Sequence, residues 1–126
     1  MKYISIDIET TGLDREACQI LSIGAVIEDT NNPLPIEDLP TFHCAIKRTG
    51  VHGELYALNM NKDLIEAIVH YQTAKTQDEK NDLVQMTGMQ FLDEDQVVDS
   101  LFQFCFDNGL VEFDPQSPAR IVNGKR

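Results

Sequence analysis

The stretch Ile20-Leu21-Ser22-Ile23-Gly24-Ala25-Val26-Ile27 is apolar nearly throughout. A run this short and this continuous reads as a strand covered on both faces, so the chain must build a layer on either side of a sheet. Ahead of it, Ile4, Ile6 and Ile8 alternate with Ser5, Asp7 and Glu9, the period-two pattern of a strand with one apolar face. Behind it, residues 30–40 hold three prolines, which cannot donate to a ladder, and read as a long turn. A third strand is predicted from Thr41 to Lys47. Three strands with no helix between them predict an antiparallel meander.

Helices follow. After a break at Gly50 to Gly53, Leu64, Ile65, Ile68 and Val69 keep helical spacing over 61–73, with Asn61 as the N-cap. Thr76-Gln77-Asp78-Glu79 reads as a capping box opening a second helix that Gly88 closes. A third begins near Asp93 to Asp95, where acids suit the positive end of the helix dipole. It is expected to carry Val97, Val98, Leu101, Phe102, Phe104 and Cys105 inward and to stop at Gly109. The remainder contains Pro115 and Pro118 and ends on a short strand, Arg120-Ile121-Val122. The pattern predicts a single α/β domain over 1–126, a mixed sheet whose three-stranded meander is followed by helices.

Within this frame Asp7 and Glu9 share the polar face of the first strand at its C-terminal end. Two carboxylates so placed repel one another, and strand propensity disfavours both. A divalent cation relieves the repulsion, and hard ions such as Mg²⁺ take carboxylate oxygens. Ligands of α/β sheets gather at C-terminal strand ends. The plain alternative is a solvated acidic strand end capping a tight turn. Beyond Glu9, Thr10-Thr11-Gly12-Leu13 adds two hydroxyls, a glycine that admits close backbone approach, and an apolar side chain.

Asp7-Ile8-Glu9-Thr10-Thr11-Gly12-Leu13 resembles the first motif of the DEDD 3′–5′ exonucleases, the superfamily of the polymerase III proofreading subunit, ribonuclease T and oligoribonuclease. The resemblance implies a ribonuclease H-like fold and a magnesium- or manganese-dependent hydrolase acting on the 3′ end of single-stranded DNA or RNA. It implies two Mg²⁺ or Mn²⁺ ions roughly 4 Å apart around the scissile phosphate. Asp7 would bridge them and Glu9 would hold the ion that activates water. Thr10, Thr11 and Gly12 would fix the terminal nucleotide, with Leu13 wedged against its base. The product would be a nucleoside 5′-monophosphate. Residues 53–61 resemble a segment that packs beside the active site in some members, which nominates Leu58 and Asn61 as substrate contacts. A loop whose Tyr56, Leu58 and Met60 merely cover the sheet is the rival reading there.

The family also needs two later aspartates and a histidine base. Its H-x-x-x-x-D motif is absent: Arg48, Ala57 and Lys75 stand five residues after His43, His52 and His70. Asn108 to Phe113-Asp114 has the wrong spacing for the remaining motif, and Pro115 follows at once, so Asp114 is expected to be a turn aspartate. The chain therefore reads as the N-terminal portion of an exonuclease domain, inactive alone. The alternative is a non-catalytic module of the same fold that binds a metal or a nucleic-acid end.

Charge narrows the partner. The net charge is −11, from ten Lys and Arg against 21 Asp and Glu, and residues 88–119 hold seven acids and no base. Phosphate contacts from Lys and Arg dominate affinity for long nucleic acid, so tracking along a duplex is not expected. A pocket for one or two terminal nucleotides, with metal supplying positive charge, is compatible. No run approaches the roughly 20 apolar residues of a membrane span and no signal pattern opens the chain. Cys18, Cys44 and Cys105, an odd number without C-x-x-C spacing, read as reduced thiols of a cytoplasmic protein. Oligomeric state stays open, a homodimer included.

Overall fold

The computed structural model of the chain describes residues 1–112 and 120–121. Strands β1 (Lys2–Thr10), β2 (Ile20–Asp29) and β3 (Thr41–Ile46) form the antiparallel meander. Helices α1 (Leu55–Met60), α2 (Lys62–Thr73) and α3 (Gln77–Thr87) follow, then a short strand β4 (Gln90–Leu92). β4 pairs parallel with β3, which completes a four-stranded mixed sheet in the order β1-β2-β3-β4. Helix α4 (Glu94–Asp107) comes next. A separate two-stranded ladder joins β5 (Val111–Glu112) to β6 (Arg120–Ile121). The chain is thus an α/β structure whose sheet is covered by helices, as the apolar run of β2 requires.

Register explains the two layers. Ile8↔Ile23↔Cys44 and Ile6↔Ala25↔Phe42 are rows across β1, β2 and β3. On this face Ile23, Ala25, Phe42, Cys44 and Ile46 pack with Val97 of α4, and Ile4, Leu92, Leu101 and Phe104 close round them. The opposite face buries Leu21 and Ala45 with Ile68 of α2, Leu83 of α3, and Met89 and Phe91. Tyr71 stacks on Phe91 with ring centroids 4.3 Å apart, so α2 is fixed over β4 by an offset aromatic pair. Leu21 reaches that core through a register shift at Glu9/Thr10: Glu9 pairs Ser22 while Thr10 pairs Ile20, so Leu21 is the extra residue of a bulge.

Several helix signals read as expected. Thr76 Oγ1 accepts the Glu79 amide at 3.2 Å, and Gly88 ends α3 in the left-handed region at φ 71°. The Glu79 carboxylate, however, accepts from the Lys75 amide rather than closing a reciprocal box. Gln96 Oε1 accepts the Asp93 amide at the start of α4. Asn61 stands at the α2 N-cap position without a capping side-chain bond. Its amide group instead donates to the carbonyls of Thr10 and Ala57, at 3.1 and 3.2 Å.

The inward face of α4 is narrower than the sequence suggests. Val97, Leu101 and Phe104 point at the sheet, whereas Val98 is 74% and Phe102 42% exposed. Positions 97, 101 and 104 form one stripe at i, i+4, i+7; Val98 and Phe102 lie on the next stripe round and miss the sheet. Val69 is likewise half exposed on α2. The residue Val122 and the Phe113-Asp114 pair lie outside the described residues.

The two positions make a stability prediction. Ile68, 1% exposed, should cost about 2–5 kcal/mol when cut to alanine. Phe102→Ala should cost about 1 kcal/mol or less, in the range of partly exposed positions. Urea unfolding of both variants gives the comparison; equal losses would mean that α4's outer stripe is buried in solution.

Candidate functional site

The site is built on the end of β1 and the loop it feeds. Asp7 and Glu9 alternate onto the same face as Ser22, Gly24 and Ala45, and both are exposed. β1 is an edge strand, so these carboxylates stand at the rim of the sheet, next to the bulge. α2 and α3 cover this face only over its β3–β4 side. Ser5, Asp7, Val26, Thr41 and His43 are left lining a shallow open hollow.

The loop after Glu9 is pinned at nearly every polar group. Thr11 is fully buried. Its amide donates to the Gln19 carbonyl at 2.9 Å, its carbonyl accepts the Glu54 amide at 2.8 Å, and its hydroxyl accepts the Gln19 amide at 2.7 Å. Thr10 Oγ1 donates to the Gly12 carbonyl at 2.9 Å. The Leu13 amide donates to Glu54 Oε1 at 3.2 Å. The hydroxyls of Thr10 and Thr11 are therefore engaged inside the protein and set the loop's shape. Gly12 and Gly53 make this possible: a Cβ on Gly12 would lie 2.6 Å from Cys18 Sγ, and one on Gly53 2.3 Å from the Thr11 carbonyl oxygen.

From this anchored backbone Leu13 projects with 95% of its surface exposed. Leu55 and Tyr56 open α1 directly after Glu54 and are 85% and 78% exposed, with Met60 a turn later at 66%. These three do not cover the sheet; Leu58 alone among its neighbours is partly buried. Asn61, through its bond to the Thr10 carbonyl, ties the α1–α2 junction to the end of β1. The structure thus assembles Asp7, Glu9, Thr10, Thr11, Gly12, Leu13 and Asn61 at one corner, with Leu58 packed beneath.

Two residues outside the sequence reading belong to this corner. Glu54 grips the loop through both its amide and its carboxylate. His43 sits in the register row Asp7↔Gly24↔His43, exposed, with only a glycine between it and Asp7. Neither carries a local motif; their membership follows from cross-strand register and from the loop after β3. His52 and His70 are surface groups. His52 Nδ1 lies 3.0 Å from the Ala17 carbonyl, and His70 Nε2 3.9 Å from Glu66 one turn away.

Among the described residues, no three His, Cys, Asp or Glu side chains gather into a metal-holding group. Asp7 and Glu9 supply hard oxygen donors, the type that Mg²⁺ and Mn²⁺ take. Cysteine chemistry is not favoured. All three cysteines are free, and burial raises the thiols of Cys44 and Cys105, with the Ile23 backbone bond partly offsetting it at Cys44. No helix among the described residues is long and apolar enough to cross a membrane.

No protein-family model matches the chain, nor does any curated protein or solved structure.

Two measurements follow from these contacts. Gly53→Ala should destabilise the fold by about 1–3 kcal/mol, the range of a small-to-large change in a packed site. Thermal unfolding reads it, and an unchanged midpoint would mean that the loop is not seated on Thr11. Cys44 should label with a thiol reagent more slowly than exposed free cysteine at pH 8, because its raised pKa leaves less thiolate. Its rate should keep climbing with pH after the free thiol's has levelled.

Proposed function

We propose that this chain carries the first half of the catalytic corner of a metal-dependent 3′–5′ exonuclease of ribonuclease H-like fold, acting on single-stranded DNA or RNA ends. The observation that carries the reading is the pairing of two unlike features on one strand end. Asp7 and Glu9 stand exposed on one face, and immediately beyond them a rigidly bonded loop holds Leu13 out in solvent. An apolar side chain held out on an immobilised backbone suits stacking against a nucleobase, which tolerates any base. Tyr56, exposed on the adjoining helix start, offers a second flat surface.

Asp7 and Glu9 would hold Mg²⁺ or Mn²⁺, which supplies charge stabilisation at a phosphoryl oxygen and lowers the pKa of bound water. The chain's own part is positional. Thr10 and Thr11 fix the loop, Glu54 fixes the Leu13 amide, and Asn61 fixes the Thr10 carbonyl. Two carboxylates and a base remain to be supplied beyond these residues, and the unpaired side of β1 leaves room beside Asp7. A non-catalytic module that grips a strand terminus is the second reading, favoured by the same exposed Leu13 and by the lack of a third clustered ligand.

Calorimetry with Mn²⁺ should show weak binding that Asp7→Ala abolishes; undiminished binding in the variant would move the metal elsewhere. A 3′-labelled single strand should bind in Mn²⁺, and Leu13→Ala should weaken it by the stacking range of about 1–3 kcal/mol. The 126-residue chain should release few or no mononucleotides. Loss of a general base alone removes about 10²–10⁴ in rate. Rapid Asp7-dependent digestion would place the missing base among residues present here, with His43 the first to test.

A further inference from the structure

β1 is nine residues long and forms an outer edge of the sheet, so half of its backbone amides and carbonyls face away from β2 without a strand partner. Natural edges of this length are blunted by proline, inward lysine, a bulge or brevity. Ser5 to Glu9 has none of these; the register shift lies beyond Glu9 and the strand's lysine is its first residue. Its apolar row is also half bare. Ile4 packs in the core under α4, yet Ile6 and Ile8 are 53% and 47% exposed in the same row. Ile8 shares a cleft with Val98 of α4, from which Phe102 and Phe106 continue an exposed stripe at i, i+4, i+8.

We propose that this edge receives an extended polypeptide segment as a fifth strand, its side chains alternately apolar and basic. Backbone bonding supplies affinity and alternate side chains supply choice, as in strand addition generally. The apolar side would cover Ile6 and Ile8. The charge follows from what surrounds the edge: Asp7 and Glu9 on one face, and Asp95 and Asp99 flanking Val98 on α4, all exposed. A second copy of this chain fits poorly, since antiparallel β1–β1 pairing lines up two acidic rows and joins two chains of net charge −11. The inference does not depend on the exonuclease reading.

The probe is a capped nine-residue peptide of alternating valine and lysine, fluorescently labelled and titrated with the 126-residue chain at 0.1 M salt. Two controls accompany it: the valine–glutamate peptide, and valine–lysine peptides N-methylated on either alternate set of amides. The expected result is saturable binding, at least tenfold weaker for the glutamate peptide and for one methylated register, with slowed hydrogen exchange in β1. Ile8→Lys, at a half-exposed position, should weaken binding at least tenfold with unchanged circular dichroism; Ile6→Thr serves if that variant misfolds. Equal binding by both methylated peptides, equal binding by the glutamate peptide, no binding, or no protection of β1 would each overturn the proposal. So would a concentration-dependent dimer with β1 protected, which would make a second copy the occupant.

Discussion

The buried threonine at position 11 is the joint on which the functional corner depends. Its amide, carbonyl and hydroxyl are all committed, two to Gln19 and one to Glu54. A buried polar group left unpaired costs about 1–3 kcal/mol, so the three bonds lock rather than merely decorate the turn. They fasten three segments to one another: the end of β1, the start of β2 and the loop that opens α1. The direction of Leu13 and the spacing of Asp7 and Glu9 from α1 both follow. Gly53 is the geometric condition for this joint, because only a residue without a side chain lets the loop lie against Thr11.

Electrostatics act locally within a strongly acidic chain. Arg48, its side chain 12% exposed, spans the layers: it meets Glu94 at 2.7 Å and the Ile20 carbonyl at 2.8 Å. Its Nε is buried without a partner among the described residues. The bond to Ile20 sits at the bulge and the ion pair at the first turn of α4, so one side chain holds the helix start over the sheet end. Tyr3 shows the same economy at the other end of β1, where its hydrogen bond to Glu28 raises the phenol's pKa above the ordinary value.

The meander, the limits of β2 and the starts of α3 and α4 were legible because each rests on a local signal: apolar periodicity, proline-rich turns, Thr76 and Gly88. The carboxylate pair was legible for the same reason, being two residues apart on one strand. What escaped depends on partners distant in sequence. β4 is three residues long, too short for a period, and exists because Phe91 finds Ala45 and Tyr71. Val98 and Phe102 have helical spacing but lie one stripe away from the sheet, a distinction of helix rotation that periodicity over 97–105 does not resolve. His43 joins Asp7 only through the register of three strands. Asn61 has the residue type of a cap, but its amide finds a better acceptor in the Thr10 carbonyl.

The parallel pairing of β4 with β3 has a consequence for how the molecule holds together. β1, β2 and β3 close on one another through short connections, whereas β4 reaches β3 only after the chain has passed through α1, α2 and α3. Closing that long excursion carries an entropy cost that a three-residue ladder does not offset. The offset comes from Leu21, Ala45, Ile68, Leu83 and Phe91, which meet only when helices and β4 are in place together. The crossover side of the sheet therefore behaves as one all-or-none unit. Because Leu21 is the bulge residue, that unit reaches the backbone beside Glu9, and losing it would loosen the corner from behind.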